Sequence, residues 1–195
     1  MTNTFTIAAR GIAGAVALGV LAACGQGLYE TAVPVPEVGI ADADLVANSY
    51  QAAERLLRGL QQPLDQGKPV LVATLVNVAD MRQSSDLGRI IAEQVASRLT
   101  QLGYETKELK FRGSFLVREG GGEFVLSRAV RDISRQHDAQ AVVAGVYAVA
   151  YDDVYVTLRA IRATDSAVMA SYDYRLPLGP NTRALLGVAD NVVMY

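Results

Sequence analysis

The run Val70-Leu71-Val72-Ala73-Thr74-Leu75-Val76 constrains this chain more than any other stretch, because it is apolar on both alternating faces and too short for a helix. A strand of that kind must be covered on both sides. Pro69 leads into it and the polar stretch Asn77 to Asp86 follows, so it reads as a central buried strand with a layer above and a layer below. Apolar residues then recur at helical spacing at Leu87, Ile90, Ile91, Val95, Leu99 and Leu102, with Ser84 or Ser85 as the cap and Gly103 just past the end. Tyr104 to Phe111 places Leu109 and Phe111 among charges, the pattern of a more exposed strand. Together these segments predict a β-α-β unit.

Flanking segments extend the pattern. Upstream, Leu45, Val46, Tyr50, Ala53, Leu56, Leu57 and Leu60 form one apolar stripe, opened by Asp42 or Asp44 as N-cap and ended by Gln61, Gln62, Pro63 and Gly67. Downstream, Gly120-Gly121-Gly122 reads as a flexible turn, and Leu126, Val130 and Ile133 mark a third helix that ends near Asp138. The period then changes. Ala141 to Ala150 is apolar throughout, while Val154 to Arg162 and Ala167 to Leu176 alternate, with Tyr151-Asp152-Asp153 and Thr164-Asp165-Ser166 as the turns between them. The expected fold is therefore α/β: a mixed five-stranded sheet, β-α-β-α-β followed by an antiparallel meander, with an additional N-terminal helix. Right-handed crossovers place the first strand between the second and third and give the order 2-1-3-4-5. Asn181 to Tyr195, with Leu185, Leu186, Val188, Val192 and Val193, reads as a docked short helix or a loosely fixed tail.

The amino-terminal segment carries a different signal. Met1 to Arg10 is a positively charged n-region, and Gly11 to Val20 is an apolar h-region without an acid. The run falls short of the roughly 18 residues that a membrane-spanning helix needs. It closes on Leu21-Ala22-Ala23-Cys24, and with its small residues before the cysteine it resembles the signal and lipobox of bacterial lipoproteins. The resemblance implies cleavage before Cys24, a thioether-linked diacylglycerol on its sulfur and a fatty acyl group such as palmitate on the new amino terminus. Each buried methylene adds about 0.8 kcal/mol, so two or more chains give stable attachment. In such lipoproteins an aspartate after the cysteine marks inner-membrane retention. Gly25 stands there instead, so the outer membrane is the expected partner surface. Gly25 to Ile40, broken by Gly25, Gly27, Pro34, Pro36 and Gly39, reads as a tether. The expected organisation is a signal peptide over residues 1–23, a lipidated terminus and tether over 24–40, an α/β domain over 41–180 and a tail over 181–195.

Composition narrows the function classes. Cys24 is the sole cysteine, so no disulfide or Cys-rich metal site is expected, and stability must come from a hydrophobic core. Roughly 170 residues remain after cleavage, enough for one compact domain. With 18 Lys and Arg against 20 Asp and Glu, and with the arginines spread along the chain, nucleic acid is not an expected partner.

Several spaced motifs then carry a family resemblance. Val70 to Ala170, with Ser84-Ser85-Asp86-Leu87-Gly88-Arg89 opening the second helix, Gly122-Glu123-Phe124-Val125-Leu126-Ser127-Arg128 opening the third, and Ala144-Gly145-Val146-Tyr147 on the following strand, resembles the FlgO family of flagellar outer-membrane lipoproteins. The proline usual after the paired serines appears here as Asp86, and the threonine often found after the strand glycine appears as Val146. The resemblance implies a role in motility at the outer membrane, through contacts with envelope or flagellar proteins, with no catalytic residues to carry over. The helix-strand arrangement is also similar to the amino-terminal domain of TolB and to the periplasmic domain of CsgG-like secretion lipoproteins, which implies an envelope assembly or transport partner as the alternative. The long alternating insertion that a pore hairpin needs is not found in the sequence.

Residue by residue, most of these motifs have structural explanations. Ser84 and Ser85 can cap helix amides, Gly88 can let the helix approach the sheet, and Arg89 can pair with an acid. Gly120 to Gly122 lacks the Lys and Ser/Thr of a phosphate-binding loop, and His137 has no second histidine with which to share a metal, so neither cofactor nor metal is expected. The best alternative ligand site is Asn77, Asp80, Arg82, Ser84 and Ser85, with Asp86 beside them, where open α/β sheets place ligands near a helix N-terminus. Asp80 and Asp86 would oppose an anion there. For partner binding the candidates are Tyr155, Thr157 and Arg159, which alternation puts opposite Val154, Val156 and Leu158.

Overall fold

The computed structural model describes residues 39–109, 116–119, 123–126 and 128–187. The signal segment, Cys24, the tether up to residue 38, Phe111, the triple glycine and residues 188–195 lie outside the described residues. Helix α1 (Leu45–Arg58) precedes β1 (Val70–Ala73) and β2 (Val76–Asn77); α2 (Asp86–Gln101) and β3 (Thr106–Leu109) follow. Next come β4 (Leu116–Glu119), β5 (Glu123–Leu126) and α3 (Arg128–Gln136). The chain continues through β6 (Ala141–Val149), β7 (Asp153–Arg162) and β8 (Val168–Pro177) to α4 (Pro180–Leu186).

The main sheet has the order β3-β1-β6-β7-β8, with β2 continuing along β6 beyond β1. This is the order expected from right-handed crossovers. Strand β1 runs parallel to β3 (Val70 beside Thr106) and to β6 (Val70 beside Ala141), while β6, β7 and β8 form the antiparallel meander. All four residues of β1 are buried, as a two-faced strand requires. Val70 and Val72 face a layer made by Ala53, Leu56, Ile91, Val95 and Leu99 of α1 and α2. Leu71 and Ala73 face the other way, in a cluster with Val142, Ala144, Ile161 and Val130 of α3. A fully buried leucine contributes about 1.5–3 kcal/mol and an exposed ion pair about 0–1, so this two-sided burial rather than the surface charges holds the fold.

Three details depart from the sequence expectation, each for a physical reason. The apolar run of the first strand is broken at Thr74-Leu75, because Leu75 turns its backbone to α2: its N–H bonds to the Gly88 carbonyl at 3.3 Å and its carbonyl accepts from Ser84 Oγ at 2.9 Å. Helix α1 stops at Arg58, where the Gly59 N–H closes onto the Arg55 carbonyl, so Leu60 packs from the loop rather than from the helix. Leu126 is not helical. It ends β5, which pairs with β4 as an antiparallel hairpin (Leu116 beside Leu126, Glu119 beside Glu123), and α3 starts only at Arg128. The Phe124-Val125 pair favours extended backbone, and a spacing of three apolar residues was too short to decide between the periods. The tail resolves between its two expectations, since its first part is helical as the end of α4, which begins one residue earlier at Pro180.

The two helices over one face are joined by a polar seam. Arg98 Nε donates to Glu54 Oε1 at 3.0 Å, its guanidinium lies 5.5 Å from the centre of the Tyr50 ring, and Gln101 Nε2 donates to Tyr50 Oη at 3.0 Å. The Arg98 hydrogen bond is the main reason that the Glu54 carboxyl sits below its ordinary pKa. Burial has the opposite kind of effect on Tyr174: it raises the phenol, while the nearby Ser49 hydroxyl partly offsets that.

Asp44 caps α1 locally, its carboxylate accepting from the Ala47 N–H at 2.9 Å. Asp42 caps a different helix. Its Oδ1 accepts from the Asn181 N–H at 2.8 Å and its Oδ2 from Asn181 Nδ2 at 2.8 Å, so a residue at the start of the domain satisfies the open end of α4. Gly179 makes this possible, since a Cβ there would lie 2.6 Å from Asp42 Oδ1. An Asp42→Ala variant is expected to lose about 0.5–2 kcal/mol, the worth of an N-cap. Urea denaturation measures it, and an unfolding midpoint equal to the parent's would refute the cap.

Candidate interaction surface

The loop after β2 is locally self-satisfied. Asn77 Oδ1 accepts from the Ala79 N–H at 2.8 Å, and Asp80 Oδ1 accepts from the Arg82 N–H at 3.1 Å and from Arg82 Nε at 3.2 Å. Asp80 Oδ2 accepts from Gln83 Nε2 at 3.1 Å. Hydrogen bonds from the Arg82 side chain and backbone hold the Asp80 carboxyl below its ordinary value. Ser85 is the cap of α2, its Oγ accepting from the Gly88 N–H at 3.2 Å, while Ser84 ties to the Leu75 carbonyl. Asp86 pairs with Arg89 on the same helix. Thus the structure brings Asn77, Asp80, Arg82, Ser84 and Ser85 into one loop, where each has a bond within the segment or to the neighbouring strand.

Gly88 explains why this loop is so tightly placed. A Cβ there would lie 2.4 Å from the Leu75 carbonyl oxygen, a backbone atom that cannot swing away. The sequence expectation that Gly88 lets α2 approach the sheet is what the geometry shows.

Tyr155, Thr157 and Arg159 lie on the sheet face opposite Val154, Val156 and Leu158, which are buried. Tyr155 is 54% exposed. Across β7 they stand beside Ala148, Val146 and Ala144 of β6 on one side and Arg175, Asp173 and Ser171 of β8 on the other. Arg175 pairs with Asp153 at 2.9 Å. The loop after β2 reaches the same end of the sheet, because the Val78 N–H donates to the Tyr147 carbonyl at 2.9 Å, next to Ala148. Val78, Val149, Tyr151 and Tyr155 are all exposed there, Tyr151 by 90%. In the sequence pattern Tyr151 belongs to a turn, and Val78 and Val149 carry no signal of their own. An aromatic residue in an otherwise acidic turn was the available signal.

His137 is exposed just beyond α3, its N–H bonded to the Ile133 carbonyl at 3.0 Å. Among the described residues no group of three or more metal-ligating side chains comes together, and no helix is long and apolar enough to cross a membrane. A cleft of about 510 Å³ opens at the other end of the sheet, lined by residues that include Leu60, Lys68, Gln140, Arg162 and Met169. Gln140 shapes it, accepting from the Asp65 N–H at 2.8 Å and donating to the Lys68 carbonyl at 2.7 Å. Nothing in the sequence pattern had singled out these residues.

A mixed sheet with helices on both faces and an exposed aromatic and charged surface at one end defines an α/β domain. The chain belongs to the FlgO protein family, whose model matches residues 50–181. No curated protein matches it. Among solved structures it is similar to the C-terminal domain of LpoB from Salmonella enterica, at 11% identity over 68% of this chain and 97% of that one, with a TM-score of 0.49. It is also similar to the PelC dodecamer from Paraburkholderia phytofirmans (17% identity, 60% and 75% covered, TM-score 0.42). A third is lipoprotein GNA1162 from Neisseria meningitidis (16% identity, 62% and 90% covered, TM-score 0.39).

Replacing Gly88 with alanine is expected to cost about 1–3 kcal/mol through overpacking against Leu75. Thermal unfolding of the purified variant checks this, and an unchanged melting temperature would show that the strand and helix have room to separate.

Proposed function

We propose that this protein is a lipid-anchored, noncatalytic component of the outer membrane that supports flagellar structure or motility through protein contacts. The match to the FlgO family over residues 50–181 carries this reading. The Leu21-Ala22-Ala23-Cys24 motif supports the anchor, with acyl chains on Cys24 in the membrane and the tether to residue 40 spacing the domain from it. The proposed partner-binding residues are Tyr155, Thr157 and Arg159. Their side of β7 combines aromatic area with directed polar groups, the combination enriched at protein interfaces. The self-satisfied loop around Asp80 favours a structural role for that loop over ligand capture.

Three experiments test this. Cys24→Ser should abolish lipid labelling and leave an uncleaved or soluble exported protein, since acylation needs the thiol and the chain has no other cysteine; the same processing and labelling in variant and parent would sink the anchor. A deletion strain that swims normally with normal flagella would overturn the motility role. For the surface, Tyr155→Ala and Arg159→Glu should leave folding and abundance intact, reduce swimming and remove crosslinked partners. Unchanged swimming and crosslinks in both folded variants would move the contact surface elsewhere.

A further inference from the structure

Strand β8 ends the main sheet, and among the described residues no strand pairs with its outer edge. The direction of its backbone groups follows from the meander. The Leu178 N–H donates to the Asp152 carbonyl at 2.8 Å, across the β7–β8 gap, and the Asp153 carbonyl accepts from the Ala150 N–H at 2.8 Å on the opposite side, toward β6. Alternation then turns the amides and carbonyls of Tyr172, Tyr174 and Leu176 toward β7. Those of Ser171, Asp173 and Arg175 point outward along the free edge. The register of this stretch is regular, since the irregularity between the two strands falls at Ala160/Ile161, before it.

The side chains of these outward residues are exposed and of mixed sign. Asp173 has no ion-pair partner among the described residues, whereas Arg175 holds Asp153 with one of its two terminal nitrogens. An edge strand that carries unpaired backbone groups is a template for another strand unless something blocks it. Here the charges select the partner instead of blocking all partners.

We propose that β8 pairs antiparallel with β8 of a second copy of this chain, about a two-fold axis through Tyr174. In that register the outward residue Asp173 faces the second copy's Arg175, and Arg175 faces the second copy's Asp173, so both opposite-charge pairs form at once. The alternatives fail on charge. An axis through Asp173 sets aspartate against aspartate, and one through Arg175 sets arginine against arginine, arrangements that directly destabilise a strand pair. An axis through Tyr172 forms no opposite-charge pair. Arg175 has donors enough for Asp153 and a second carboxylate together. Pro177, with no N–H, closes the bonding strip opposite the second copy's Ser171. Both copies use the same edge, so the contact is isologous and closes at two subunits.

Sedimentation velocity on the full-length protein, extracted from membranes in mild detergent and measured over a range of concentrations, tests this. The parent is expected to show a reversible dimer. Asp173→Arg sets like charges against each other twice, and should raise the dimer dissociation constant roughly tenfold or more. Because Asp173 has no ion-pair partner among the described residues, that variant decides the matter even if Arg175→Asp proves poorly folded through loss of its Asp153 pair. The double variant Asp173→Arg/Arg175→Asp restores both cross-strand pairs and should dimerise again. A parent that stays monomeric at every concentration would overturn the proposal. So would a folded Asp173→Arg variant with the parent's dissociation constant, or a folded double variant that stays monomeric.

Discussion

The contact on which this structure turns is the backbone of Leu75 against the first turn of α2. Both polar groups of that residue leave the strand ladder, its N–H for Gly88 in the first turn and its carbonyl for Ser84 just ahead of the cap. Its side chain meets the opposite crowding, because a Cβ at Gly145 of β6 would come within 2.9 Å of Leu75 Cγ. Two glycines on separate elements therefore close on one leucine. This fixes where β1 stops and where α2 begins, and it positions the polar loop between them.

From that junction the two helical layers follow. Helices α1 and α2 cover one face from β1 across to β8, as Leu56, Val95, Leu158 and Leu176 in one cluster indicate. The other face is covered by α3 over β1 and β6, through Val130. Beyond it, on that same face, Tyr155, Thr157 and Arg159 alternate away from α1 and α2. The meander is longer than the helix that covers its second face, and this difference leaves a surface. The polar ties on the outside act as locators. Asp42 reaches α4, Gln140 clasps the segment around Asp65, and Arg98 joins α1 to α2, each setting the position of an element whose burial comes from elsewhere.

That division bears on function. At the position where α/β sheets commonly bind a small ligand, Asp80, Asn77 Oδ1 and the Ser84 and Ser85 hydroxyls are already bonded within the loop and its flanks. The strand face that carries Tyr155, Thr157 and Arg159 is the surface proposed for a protein partner. The same strands end in an edge with its own charge pattern, so the two proposed contacts are separate, one side-chain and one backbone in character.

The sequence alone determined the succession of α1, α2 and α3 with the strands β1, β3, β6, β7 and β8, the two-faced central strand, the strand order through crossover handedness and the inward face of β7. These depend on periodicity and chain chirality, which act locally or apply to all such folds. The FlgO resemblance was likewise legible in spaced motifs, and the family match agrees with it. Tertiary structure decided the rest. Only packing showed that Asp42 caps α4 rather than α1, because the partners are 139 positions apart in the chain. Only pairing with β4 made Leu126 a strand residue, since its own neighbours fit either period. The break at Leu75 and the gathering of Val78, Val149, Tyr151 and Tyr155 at one end came from contacts between elements, and a contact between distant elements leaves no periodic trace in a single sequence.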